Sequence, residues 1–365
     1  MKRLINTKPL ILFLFLSLGF SQKEYNTNDI IEMDNGLYTE KFSDEPLTGK
    51  VYGYFGEEGN LKKVYKGNLL KGKKEGRWKS YFHSNGKKMY DENYKNGKED
   101  GLHTWWYENG QKKFKVTYKD GELDGLSTNW YDNGQKKSEG TFKDGENYGL
   151  VTNWYENGKK HIEATRKDGK NDGLYTEWNE SGQKKGVGNY KNGKENGLFT
   201  WWFENGQKES EKTYKGGKNH GLSTTWYENG QKLSEGTFKD GKLDGLWTWW
   251  YESGQKRLER TIKDGELNGL QTEWYENGQK KVERTERDGE LNGLQTEWYE
   301  NGQKKVEGTF KDGKLQGLGN VWYKNGQKKS EGKYLFGIPI SMKNWNEDGS
   351  VKKSKIWNED GSVKE

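Results

Sequence analysis

Between Gly101 and Gly317 the chain repeats one polarity pattern every 24 residues, each copy opened by Gly101, Gly125, Gly149, Gly173, Gly197, Gly221, Gly245, Gly269, Gly293 or Gly317. With that glycine as position zero, Leu stands at +1 in all ten copies, Thr at +3 in nine and Trp at +5 in all ten, while +2 and +4 vary. Fixed odd positions beside variable even ones are a period of two, which predicts a β-strand with a buried odd face and a less buried even face. Tyr follows at +6 in eight copies, Phe203 and Asn179 being the exceptions, and Asn-Gly at +8 and +9 in eight. Both central residues of a type I′ turn need positive φ, which Asn and Gly tolerate best, so the dipeptide predicts that hairpin turn.

A returning strand then carries small or apolar residues at +13 and +15 and an aromatic at +17, as in Ser138, Gly140 and Phe142. The small residue at +15 leaves room for a neighbouring ring. Lys-Asp-Gly at +18 to +20 supplies the opposite turn. A strict two-residue hairpin pairs offsets that sum to 17 and sets the +5 Trp and the +17 aromatic on opposite faces, whereas a glycine bulge reverses that parity locally. The two arrangements stay open at this point.

One repeat is thus one hairpin plus a connecting turn. The constant period predicts an all-β fold, an elongated repeat array of antiparallel β-hairpins forming an open-ended twisted sheet or solenoid. The rhythm loosens before Gly101, with related glycines at Gly49 and Gly76, and decays after Gly317 into short copies beginning at Trp345 and Trp357. The expected organisation is a leader over 1–21, a divergent N-terminal cap over 22–75, hairpin repeats over 76–333 and a degenerate C-terminal cap over 334–365.

Composition changes this picture in two ways. Only 29% of residues are hydrophobic and 32% are charged, with mean hydropathy −1.29, a balance that pulls towards disorder. Against it stand 17 Trp, 22 Tyr and 13 Phe, each able to bury roughly 150–250 Å², so the core is built from rings. Residues 1–21 read as a secretory signal, with Lys2, Arg3 and Lys8 ahead of the apolar stretch Leu10 to Leu18 and a small-x-small site at Gly19-Phe20-Ser21. The expected location is therefore outside the cytosol, in the periplasm, at the cell surface or in the medium, with membrane contact only through an uncleaved leader. The absence of Cys excludes disulfides and lipid attachment through an N-terminal cysteine. Net charge of +6 falls to +3 without the leader's three basic residues. Lys and Glu are interspersed, so nucleic acid is not an expected partner.

The run from Ser234 to Gln255, S-E-G-T-F-K-D-G-K-L-D-G-L-W-T-W-W-Y-E-S-G-Q, resembles the MORN repeat. It is closer to the bacterial variant found in proteins named as YwqK-like toxin–antitoxin system antitoxins. The resemblance covers roughly residues 36 to 365, and Arg166 and Glu286 depart from it by replacing the +17 aromatic. It implies a hairpin array used as a scaffold for protein contacts, membrane-lipid association or toxin neutralisation. A cytosolic antitoxin has no obvious use for an export signal.

Catalysis finds little support. His83, His103, His161 and His220 fall at unlike positions with no partner at metal-ligand spacing. Carboxylates recur with the array, whereas an active site is one asymmetric constellation. Neither an enzyme, a cofactor nor a metal is expected, and calcium in the Asp-Gly turns is disfavoured by Lys at the central position of several copies. The candidate binding surface is the set of rings at +2 and +4: Trp105, Tyr175, Phe199, Trp201, Trp247 and Trp249, where flat rings could dock a protein or stack on sugars, or else simply cover the second face of the sheet. Residues 264–283 and 288–307 are identical, so copying has lengthened the array and avidity can matter more than any single site. The expected function is an exported, non-catalytic scaffold for a protein partner. A glycan- or cell-wall-binding module and a toxin-neutralising antitoxin are the alternatives. What can distinguish one repeat from the next lies at +2, +4, Arg166, Asn179, Glu286 and the two ends.

Overall fold

The computed structural model describes residues 22–56, 59–357 and 362–364; the leader and part of the last truncated hairpin lie outside them. Strands and turns account for the structure, with no helix among the described residues. The chain separates into two compact units, one ending at Gly125 and one beginning at Leu126.

The first unit contains a conventional apolar core. Strand Glu24–Asn26 pairs parallel with Gly49–Phe55, which continues antiparallel to Lys62–Leu70. Tyr25, Leu47, Val51, Leu69 and Trp78 close together, each at most 7% exposed. Gly67 lies under the Trp78 indole, where a Cβ would enter the ring. Beyond this cluster, Lys73–Tyr81 and Lys88–Lys95 begin the regular hairpins.

The second unit is an antiparallel meander in which strands such as Lys160–Lys167, Lys170–Trp178 and Lys184–Lys191 each pair with their sequence neighbours. Asp168 and Gly169 are the two-residue loop between Lys167 and Lys170, with φ of 49° and 70°. Positive φ at both central residues marks the type I′ turn. The Asn-Gly turn differs from expectation. Gly158 has φ 83°, whereas Asn157 is not in the left-handed region. The amide of Gly158 donates to Tyr155 O at 2.9 Å and the amide of Tyr155 to Lys159 O at 2.9 Å, the pattern of a three-residue loop closed by a glycine bulge. The side chain of Asn157 braces this loop: its Oδ1 accepts from the Lys159 amide at 3.0 Å and its Nδ2 donates to Glu180 O in the next repeat at 3.0 Å. Asn is there for its amide and not for positive φ.

Register resolves the parity question. Gly149 pairs with Arg166 and Asn153 with Ile162, offsets that sum to 17, and the slip falls only between Asn153 and Trp154. Positions 0, +2, +4, +13, +15 and +17 therefore share one face, and Trp at +5 lies on the other with Leu and Thr. The burial expected from the fixed positions is corrected here. Leu at +1 is exposed, 51% at Leu174 and 57% at Leu318, while Thr at +3 is buried, 4% at Thr224. The even face, expected to be less buried, holds Phe199 at 2% and Gln271 at 2%. Its rings sink because the facing +15 residue is small: a Cβ on Gly188 would overlap the Phe199 ring, and one on Gly236 would come within 2.8 Å of Trp247.

Candidate functional site

The six candidate rings occupy even positions, as parity requires, but they are not one open surface. In the first unit Trp105 is 41% exposed, donates from Nε1 to Glu92 Oε1 at 2.7 Å and meets Phe114 edge-on at 5.8 Å. Phe199 is enclosed between Tyr190 and Tyr214, with centroids at 5.2 and 5.3 Å. Tyr175 joins the same row edge-on to Tyr190 at 5.6 Å. Burial, and then its hydrogen bond to Glu177, push the Tyr175 hydroxyl far above its ordinary value. Half-buried Trp201 lies over Gly186, into which its ring would collide were a Cβ present. Trp247 and Trp249 stack at 5.0 Å, with Phe238 edge-on to Trp247 at 5.2 Å. Most of this aromatic surface packs against itself.

A second set of contacts links each repeat of the second unit to the next. The +6 tyrosine hydroxyl donates to the carbonyl of the following +5 tryptophan, as from Tyr155 to Trp178 at 2.8 Å and Tyr251 to Trp274 at 2.9 Å. The turn asparagine amide donates to the following +7 carbonyl, as from Asn277 to Glu300 at 2.9 Å. On the odd face the +11 lysine pairs with the +14 glutamate and lies over the next +5 ring, as Lys256 does with Glu259 at 2.6 Å and Trp274 at 5.7 Å. These contacts satisfy backbone carbonyls and hold neighbouring hairpins in register.

All of them lapse at one junction. Asn179 stands for the +6 tyrosine, Ser181 for the turn asparagine and Val187 for the +14 glutamate. Asn179 turns inward on its own loop, its Oδ1 accepting from Ser181 Oγ at 2.5 Å and from the Gln183 amide at 3.0 Å. Without Glu at 187, Lys184 makes no ion pair and covers no ring among the described residues. The missing ring leaves an open cleft of about 720 Å³. Tyr155, Asn179, Lys185, Trp202, Phe203 and Glu209 line it, with Glu180, Glu204 and Glu228 at its turn end. Lys185 is bound to Glu177 at 2.8 Å, and that hydrogen bond raises its ammonium above the ordinary lysine value. A held cation of this kind suits binding and not general-base work near neutral pH.

The other departures close on themselves. Glu286, 6% exposed, forms an ion pair with Arg284 Nε at 3.0 Å, and Arg166 donates to Gly169 O at 3.2 Å. The histidines are likewise absorbed: His103 is 1% exposed with Nε2 at 2.7 Å from Asn93 O, and His161 stacks on Tyr155 at 4.3 Å. No group of three His, Asp or Glu residues close enough to hold a metal ion occurs among the described residues. Asn179 and Phe203 stand out in sequence as breaks in the +6 column. Glu209 was missed, although the +12 column would have shown it: Lys137, Lys185, Arg257, Lys281 and Lys329 are basic there and Glu209 is acidic.

The MORN repeat variant family matches nine segments, residues 99–120, 123–144, 147–168, 171–192, 195–215, 219–240, 243–264, 267–285 and 291–312. No curated protein matches the chain. Among solved structures, similarity is found to a chain of the TcdB2-TccC3 crystal structure at 12% identity, covering 91% of this chain and 19% of that one, with TM-score 0.18. A chain of the TcdB2-TccC3-Cdc42 structure matches at 10% identity over 92% of this chain and 24% of that one, with TM-score 0.16. This chain thus spans a quarter or less of these two chains.

Proposed function

The chain belongs to the MORN repeat variant family, and from that premise we propose that it is an exported, non-catalytic repeat scaffold that holds a protein partner at the Asn179 cleft. The observation that carries this reading is where the surface is left unfinished. In the preceding repeat the tyrosine hydroxyl, the turn amide and the lysine over tryptophan are all consumed within the array. Between the repeats opened by Gly173 and Gly197 they are missing together, and rings and carboxylates face an open cleft. A site of this kind binds by shape and charge, and its carboxylates have no paired acid and base to do chemistry. Export rests on the leader at 1–21.

The test uses the tagged mature chain as bait in its native cells beside an Asn179→Tyr variant, which restores the ring and its hydroxyl. The wild-type chain is expected to enrich a protein that the variant recovers at least about tenfold less, a loss of about 1.4 kcal/mol. Enrichment of no protein, or retention of the chain on polysaccharide instead, overturns this reading in favour of the glycan alternative; a toxin as the recovered partner gives it the antitoxin form. Mass determination of the mature N-terminus tests export, and a chain still beginning at Met1 refutes it.

A further inference from the structure

Accepting the cleft as a partner site, we infer that the group it takes is a cationic side chain, lysine or arginine, presented by a protein partner and seated between the Phe203 ring and the Glu209 carboxylate. The array itself shows what belongs over a +6 ring. Lys137 lies 5.5 Å from the Tyr131 centroid, Arg257 5.8 Å from Tyr251, Lys281 5.9 Å from Tyr275 and Lys329 5.5 Å from Tyr323, each cation coming from the +12 position of the same hairpin. A cation over an aromatic face is attracted by the ring quadrupole, most strongly where water is partly excluded.

At Phe203 the +12 residue is Glu209. The ring is half-buried and keeps its apolar face, but the charge opposite it is reversed, so no cation of this hairpin can occupy the place. The cleft's charge is complementary to an incoming cation. Its lining holds four carboxylates, Glu180, Glu204, Glu209 and Glu228, against the single ammonium of Lys185, already bound to Glu177. None of the four carboxylates forms an ion pair among the described residues. Acidic residues at +7 recur along the array, but the combination of a reversed +12 charge with a missing neighbouring ring is confined to this junction. Asn179 provides the room and Glu209 the sign of the charge. A long, flexible side chain with a terminal cation reaches such a cleft while its stem covers the rings.

The experiment titrates the full mature chain, isotopically labelled, with three acetylated, amidated tetrapeptides that differ at one residue: lysine, arginine or uncharged norleucine. Amide shifts confined to residues 179–185 and 202–209 are expected with the lysine and arginine peptides and absent with norleucine. Glu209→Lys, a change at an exposed position that gives Phe203 the array's own cation, is expected to weaken binding at least about tenfold; Asn179→Tyr, which fills the cleft, does the same. Equal shifts from the norleucine peptide, shifts spread evenly over the recurring +7 carboxylates, or binding unchanged by Glu209→Lys overturns the inference. The partner-capture assay separates this failure from that of the scaffold reading. A partner captured equally by wild type and Glu209→Lys refutes the cation and leaves the scaffold standing, whereas peptide binding with no captured protein does the reverse.

Discussion

Gly188→Ala tests the packing of the ring-bearing face directly. Gly188 has an extended backbone that any residue adopts, so the substitution adds one methyl group without forcing a left-handed φ. That methyl would fall well inside van der Waals contact with Cγ, Cδ1 and Cε1 of Phe199. Phe199 is 2% exposed and held edge-on by Tyr190 and Tyr214, so its ring has no free direction in which to move. Overpacking of a filled site costs about 1–3 kcal/mol. Loss of glycine's freedom in the unfolded chain offsets about 0.4–1 kcal/mol, leaving a net destabilisation of about 1.3 kcal/mol from the middle of both ranges. In a repeat array stability is partly local, so the assay pairs urea unfolding with hydrogen exchange of the strands Lys184–Lys191 and Gly197–Trp202. Both strands should lose protection. Phe199→Leu, which replaces the ring by a smaller aliphatic side chain, should make the added methyl less harmful, giving a favourable coupling in the double-mutant cycle. A Gly188→Ala protein as stable as the wild type, or additive effects in the cycle, would refute the argument that the small +15 residue buries the rings.

Three further outcomes follow from the same structure. Tyr251→Phe removes the hydrogen bond to Trp274 O and should cost about 0.5–1.5 kcal/mol in unfolding free energy; at the Asn179 junction, where no such bond exists, Asn179→Tyr should stabilise the protein against denaturant. Asp264 has φ 52° in its type I′ turn, so Asp264→Val should lower the unfolding free energy by about 1–2 kcal/mol, while Asp264→Gly should be nearly neutral. In the first unit the hydrogen bonds from Arg77, both at 2.6 Å, and secondarily from Lys88 hold the Asp91 carboxyl below the usual carboxylate range. A lowered folded value contributes stability that is present above the usual carboxylate range and lost as pH falls from there through the lowered folded value. Asp91→Asn should therefore destabilise this unit by about 1–2 kcal/mol at neutral pH and flatten its acid unfolding curve, read by near-ultraviolet circular dichroism; an unchanged acid profile would exclude Asp91 as the titrating group.

Much of the hairpin was legible in the sequence, because local chemistry determines it. A period of two, turn dipeptides and a 24-residue beat are consequences of strand geometry and positive φ, and these need no distant contacts. The room left by small +15 residues was legible for the same reason, as Gly188 and Gly236 show. The turn types were not. Asn and Asp both tolerate positive φ, but the Asn-Gly loop has three residues and places only its glycine there, as the same loop with Ser181 or Ser253 also does, while Asp168 shares a two-residue loop and takes it.

Which face is buried was likewise undecided by residue type. Leu at +1 looks like core and is exposed, whereas Phe199 at a variable position is enclosed, because burial depends on what the neighbouring strand places opposite, here Gly188. The cleft was half legible. Asn179 breaks a column that can be read by eye, and a broken column says that something differs there. That the break opens a space shared with Phe203 and Glu209 is a matter of three hairpins lying side by side, since a side chain omitted from one strand is felt as volume only where the next strands fail to fill it.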